Sequence, residues 1–231
     1  TRPDEICAII IETIQGEGGD NIFRTEFLKK LREMADKYEA LLIFDEVQAG
    51  MGITGKFWAW EHFGVQPDLM AFGKKVQVCG FAAKMNRLDA VDNVFKIPSR
   101  INSTWGGNLA DMVRTTQVIQ IIQDEKLLDN AKNLGAKMLA ELQALSKKDE
   151  RLSNARGIGL WMAFDLPDKE TRNAFIDKAF DNGLVILPCG NRSVRIRPVL
   201  DMKESEANEG LEILAKTLSG MQSSGLRSKA I

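Results

Sequence analysis

The stretch Leu41 to Gln48, LLIFDEVQ, decides the fold. Four apolar residues run directly into Asp45 and Glu46. Strands of a parallel sheet, buried on both faces, read as such runs and deliver their polar residues to the crevice at the carboxyl end. A buried carboxylate is costly without a partner, so Asp45 needs a cation or a protonated group in front of it. Downstream, Leu69 to Phe72 forms a second short apolar run, ending in Gly73, Lys74 and Lys75. An acid and an amine on neighbouring strand ends could hold a cofactor between them. Lysine pairs are usually solvated surface, but desolvation beside a buried strand would lower the pKa of Lys74 and free its amine for chemistry.

Upstream, Ile6 to Ile11 is another buried-strand run. Arg24 to Tyr38 is an amphipathic helix, with Phe27, Leu28, Leu31, Met34 and Ala35 at helical spacing. Strand, helix, strand at this length predicts a crossover and a parallel sheet. The first strand has no preceding segment to pair with, so the chain is expected to be the C-terminal part of a longer polypeptide. In Gln15-Gly-Glu-Gly-Gly19, Glu17, like Glu12 before it, either points into a cleft or lies solvated in a plain turn. Gly50 to Gly55 reads as a mobile loop, and Phe57, Trp58, Trp60 and Phe63 read as packing, with His62 structural among them. Val76 to Ala83 reads as a further strand, and Asn102 to Asn108 as a polar loop before a helix, suited to an anion.

Leu109 to Lys147 is helical in pattern, broken between Asp124 and Asp129. Beyond Arg156 come a strand (Leu160 to Leu166), a helix (Lys169 to Asn182), short strands (Leu184 to Leu187, Ser193 to Ile196) and a last helix (Ser205 to Leu218). This order suits a compact α+β unit. Arg195 either clamps a carboxylate or shares a solvent-exposed strand with Arg197. The expected division is a large domain over 1–115, connecting helices over 116–148, a small domain over 149–222 and a frayed tail over 223–231.

Composition removes several function classes. A net charge of −1 gives no general attraction to nucleic acid or anionic membrane. Cys7, Cys79 and Cys189 have neither zinc nor disulfide spacing and suit a reducing, cytoplasmic setting. His62 is the only histidine, which argues against histidine-rich metal sites and triad hydrolases. No apolar run reaches membrane-spanning length. The strand ending in Asp-Glu is similar to a Walker B element, but the phosphate-binding G-x-x-x-x-G-K-[ST] motif is absent, so a P-loop nucleotidase is rejected for this chain.

ETIQGEGG (Glu12 to Gly19), LLIFDEVQAG (Leu41 to Gly50), TGKFWAWEHFG (Thr54 to Gly64), PDLMAFGKK (Pro67 to Lys75) and RIRPVL (Arg195 to Leu200) occur in one order. Together they resemble class III, or ω-amino, aminotransferases dependent on pyridoxal 5'-phosphate (PLP). The resemblance implies an α/β, fold-type I architecture: a parallel-rich sheet in the large domain, a smaller C-terminal α+β domain, and a missing N-terminal part.

It also implies Lys74 as the Schiff-base lysine and proton shuttle, and Asp45 as partner of the protonated pyridine nitrogen. Val47 would lie on the ring face and Gln48 on the ring hydroxyl. Thr104, with Ser103 beside it, would bind the phosphate of a neighbouring subunit's cofactor, hence a homodimer with shared sites. Arg195 would bind the α-carboxylate of glutamate, masked by Glu17 when the other substrate is present. FGKKVQVCG (Phe72 to Gly80) and PSRINSTWGGNLADMVR (Pro98 to Arg114) look most like the L-lysine 6-aminotransferase branch. That branch moves the ε-amino group of L-lysine to 2-oxoglutarate, giving 2-aminoadipate 6-semialdehyde and L-glutamate. The 4-aminobutyrate branch is the runner-up and ornithine aminotransferase a distant third. A non-catalytic dimerisation module is the alternative of another class.

Overall fold

The computed structural model describes residues 5–101 and 106–221. Its first layer is built from β1 (Ala8–Glu12), a two-stranded hairpin of β2 (Ile14–Gln15) and β3 (Asn21–Ile22), α1 (Thr25–Lys37), β4 (Leu41–Asp45), β5 (Leu69–Phe72), β6 (Gly80–Ala83) and α2 (Met85–Asp89). Two helices follow, α3 (Leu109–Asp124) and α4 (Leu127–Lys148). The second layer comprises β7 (Ser153–Ile158), β8 (Trp161–Asp165), α5 (Lys169–Asp181), β9 (Leu187–Cys189), β10 (Ser193–Ile196) and α6 (Glu204–Ser219).

The first sheet has the order β1-β4-β5-β6, with β1, β4 and β5 parallel and β6 antiparallel to β5. The crossover through α1 is the one expected, and α1 buries Leu28 and Ala35. Asp68, 2% exposed, ties this layer together. Its carboxylate accepts from the Leu42 amide at 2.9 Å and from Arg32 at 2.7 Å. Burial works to raise its pKa, but these bonds and the neighbouring Arg87 outweigh it and hold the carboxyl below its ordinary value.

The second sheet, β7-β8-β10-β9, is antiparallel throughout. Pro188 is tolerated in β9 because that strand is the edge of the order and needs no donor on its outer side. One apolar core runs through both layers, from Ile14, Leu28 and Phe44 to Trp161, Phe164 and Phe175. Helix α4 seals it from Ala131 to Leu142. Gly135 allows its close approach: a Cβ there would lie 2.1 Å from the carbonyl oxygen of Gly159.

The α/β expectation holds, with a parallel-rich sheet followed by an α+β unit. Several elements differ in detail. Val76 to Ala83 is a strand only from Gly80, because the Val76 amide bonds Gly73 O at 2.9 Å and buries its side chain in a turn. Leu184 ends α5 through a bond to Ala179 O at 2.9 Å, so its strand starts at Leu187. Strand β7 escaped the sequence reading, because a register shift between Ser153 and Arg156, with Asn154 at φ 50, breaks its alternation. The stretch from Gly50 to Gly55 is packed rather than loose. Met51 and Ile53 are buried, and Ile53 O accepts from the Leu160 amide at 2.8 Å.

Candidate active site

Along β4, Leu42 and Phe44 are fully buried while Leu41, Ile43 and Asp45 are half-buried on the other face. That alternation separates the two acids of the DEVQ stretch. Glu46 turns into the protein, where Oε1 accepts from Thr13 Oγ1 at 3.0 Å and the Trp60 amide at 2.8 Å, and Oε2 accepts from the Ala59 amide at 2.8 Å. It caps the 3₁₀ turn Ala59–His62 and is structural. Burial pushes its carboxyl above the ordinary range against these three bonds. His62 likewise makes a structural contact, Nε2 lying 3.1 Å from Thr54 O.

Asp45 stands at the carboxyl end of the central strand, opposite Ala71 of β5. Its Oδ1 accepts the Val47 amide at 2.9 Å. Val47 and Gln48 form the turn that follows. The Gln48 amide packs against Gly16, where a Cβ would come within 3.0 Å of Oε1. Lys74 leaves the end of the adjacent strand, three residues beyond Ala71. Neighbouring strands run about 4.8 Å apart, so Asp45 and the turn that carries Lys74 leave the same edge of the sheet. Ser103 and Thr104 lie outside the described residues.

Lys74 is exposed and makes no hydrogen bond or ion pair among the described residues. The desolvation anticipated for it falls on Lys75 instead. Lys75 turns inward, with Nζ 3.5 Å from Gly50 O and 5.9 Å from the centre of the Trp161 ring. Burial, then the nearby charge of Arg197, brings the Lys75 amine down to about 7. Its folded-state pKa is therefore below its unfolded value of 10.5. Stability from the neutral amine is present above that unfolded value and is lost as pH falls towards 7. Lys75→Met should thus raise the stability at pH 7 by on the order of 1–3 kcal/mol, with the gain fading towards pH 10.5. Paired thermal melts of parent and variant across pH 7 to 10 would check this, and a gain independent of pH would refute it.

Lys74, Lys75, Gln48, Ile53, Leu187, Arg195, Arg197 and Pro198 enclose a cleft of about 280 Å³. Larger cavities of about 500 and 490 Å³ nearby are lined mainly by aliphatic side chains and lack Lys74 and Gln48. The cleft has arginines on one wall, one from β10 and one just past its end. Arg195 and Arg197 lie two residues apart and project to one side. Arg195 is held by the Glu17 carboxylate at 2.6 Å; the arginine side chain is 14% exposed and that of Glu17 66%. Glu17 is thus solvent-exposed and paired at once, while Arg195 lines the cleft rather than an open strand face.

Arg197 is bonded to Asp20, and its guanidinium carbon sits 3.0 Å from the centre of the Trp161 ring. Burial is the strongest influence on both partners, raising Asp20 to about 6 and lowering Arg197 to about 10, so both are charged when they pair at neutral pH. Arg156 fastens the same loop, donating to the carbonyls of Gly19 and Asp20 and pairing with Asp165 at 2.8 Å. Gly190, at φ 51, lets the β9–β10 turn close on this loop and donates to Glu17 O at 2.8 Å. Three arginines thus converge on Glu17–Asp20. Sequence reading identified only Arg195; the alternation of Arg195 with Arg197 was the available signal for the second.

A sequence model of the class III aminotransferases matches residues 1–218. The chain is 47% identical over 215 residues to the L-lysine-epsilon aminotransferase of Amycolatopsis lactamdurans, covering 92% of this chain and 48% of that one. It is 39% identical over 217 residues to the mitochondrial 4-aminobutyrate aminotransferase of Homo sapiens, covering 92% and 42%. The structure is similar to that of a lysine aminotransferase from Mycobacterium tuberculosis in its internal aldimine form, with a TM-score of 0.91, 42% identity and coverage of 94% and 50%. The chain spans about half the length of these relatives.

Proposed function

We propose, because the chain belongs to the class III aminotransferase family, that the Lys74 cleft carries the reacting groups of an ω-aminotransferase acting on L-lysine. The residues present fit the family's cofactor, PLP. An amine free of protein partners among the described residues lines a cleft with the Gln48 amide, and the carboxylate of Asp45, which has used one oxygen on Val47, ends the neighbouring strand. When bound, PLP supplies an aldehyde carbon that accepts the amino group and a protonated ring that takes up electrons as a C–H bond breaks.

The protein's part is to hold and to move protons. Lys74 Nζ takes the proton from the substrate carbon that bears the nitrogen and returns it on the other side of the transfer. The free oxygen of Asp45 would keep the ring nitrogen protonated, which would also satisfy the partially buried carboxylate. Val47 would hold the ring face, Gln48 would hydrogen-bond the ring hydroxyl, and Thr104 with Ser103 would take the phosphate of the neighbouring subunit's cofactor in a cytoplasmic homodimer. The proposed division into a large domain (1–115), a connector (116–148) and a small domain (149–222) places Lys74 on the first and Arg195 on the third.

The observation that carries this reading is the 2.6 Å pair between Glu17 and Arg195 at the mouth of the Lys74 cleft. One site must accept an amino donor whose reacting end has no carboxylate and then 2-oxoglutarate, whose reacting end has one. A mask that opens answers that demand. With L-lysine, Glu17 covers Arg195; with 2-oxoglutarate or L-glutamate, Arg195 takes the α-carboxylate. The products are 2-aminoadipate 6-semialdehyde and L-glutamate. Lysine is favoured over 4-aminobutyrate by the 47% against 39% identities.

Single-turnover rates test both halves. L-lysine should react at least about tenfold faster than 4-aminobutyrate, and the reverse order would transfer the proposal to the latter donor. Glu17→Ala leaves an uncovered guanidinium and should slow the lysine half-reaction on the order of 100-fold, the glutamate half-reaction only a few fold. Equal losses would remove the switch.

A further inference from the structure

Two arginines line the cleft, yet the α-carboxylate of an acceptor needs only one. We propose that Asp20 is a specificity-determining residue: it masks Arg197 permanently, so that Arg195 is the single carboxylate receptor of the cleft. This rests on the reading of the cleft as the site of amino transfer.

The two masks are built differently. Glu17 meets Arg195 from an exposed side chain, 66% accessible, through one bond. It can swing away into solvent at small cost. Asp20 meets Arg197 with its own side chain fully buried. Its backbone is pinned by Arg156, which donates to Asp20 O at 3.1 Å and to Gly19 O. It also sits in the left-handed region at φ 50, one residue after a glycine. No comparable freedom exists for Asp20 to leave.

Arg197 is correspondingly immobile, stacked on Trp161 and bonded to Asp20. Its donor capacity is far from used up. A guanidinium offers five N–H groups. Among the described residues Arg197 Nε has no hydrogen-bond partner, nor has Asp20 Oδ2, although both atoms are buried. Without the charge of Asp20, Arg197 would be a second bidentate anion receptor two residues further along the chain. A five-carbon dicarboxylate could then bind in a shifted register, its reacting carbon away from Lys74. Silencing Arg197 keeps one register.

The test uses the holoenzyme and glutarate, a dicarboxylate with neither an amino nor a keto group, whose binding is read by calorimetry without turnover. Asp20→Asn should bind glutarate at least about tenfold tighter, with 2-oxoglutarate becoming inhibitory at high concentration. Arg197→Gln, assayed at a pH high enough to keep Asp20 ionised, leaves that charge uncovered and should weaken glutarate by a similar factor. The double variant, which buries no unpaired charge, should return close to the parent. An Asp20→Asn protein that melts near the parent and binds glutarate no better would overturn the proposal. Should that variant not fold, unchanged glutarate affinity in Arg197→Gln would do the same, as would a double variant as weak as Arg197→Gln, which would make Arg197 a direct ligand. Glutarate binding is independent of the amino donor. If L-lysine fails as substrate while Asp20→Asn gains glutarate, the assigned reaction falls and the mask stands.

Discussion

Lys74→Ala is expected to lower transamination by at least ~10,000-fold, since it removes the amine proposed both to engage the cofactor and to move the proton. Lys75→Ala is expected to leave far more activity. The comparison is demanding because electrostatics alone would nominate the other lysine. Lys75 is the buried amine, brought down to about 7, and a lysine of lowered pKa is the usual candidate nucleophile. Geometry decides for Lys74. Lys75 points at the Gly50 carbonyl and the Trp161 ring, whereas Lys74 opens into the cleft without a protein partner among the described residues. Borohydride reduction followed by peptide mapping should find the pyridoxyl mass on Lys74. Finding it on Lys75, with Lys74→Ala active, would reverse the assignment.

How much of this site could be read in the sequence follows from where its parts lie. Asp45, Gln48 and Lys74 follow apolar runs, and a run that stops at a charged residue marks a strand end by local pattern alone. The parallel sheet and the α1 crossover were legible for the same reason. The wall opposite was not. Arg156 and Asp20 are 136 residues apart, and Arg197 and Asp20 are 177 apart. No local spacing relates them; only the packing of the second sheet on the Glu17–Asp20 loop does. Trp161 gave no sign of carrying a guanidinium on its ring, because a buried tryptophan inside an apolar strand reads as core, which it also is. Lys75 was hidden differently. A lysine pair does not say which member faces inward, and that is settled by the turn between Gly73 and Val76.

Asp45→Asn is the second large effect expected. The substitution preserves size and the oxygen that accepts the Val47 amide, so the turn should survive. What it removes is the charge proposed to face the ring nitrogen. A protonated ring without a carboxylate is an unpaired buried cation, and breaking such a pair costs about 3–5 kcal/mol. At about 1.4 kcal/mol per decade this is a fall of roughly 100- to 5,000-fold in the lysine half-reaction. Glu46→Gln supplies the contrast. That acid is one residue away but bonded to Thr13, Ala59 and Trp60, so its loss should lower the melting temperature and leave the rate per folded site in place. The two variants separate the acid that serves the reaction from the acid that serves the fold. Equal rate losses in both would mean that β4 positions the site as a unit and that Asp45 has no charge role of its own. A rate loss confined to Asp45→Asn, recovered with a cofactor analogue carrying a fixed positive charge on the ring nitrogen, would assign that role to its carboxylate.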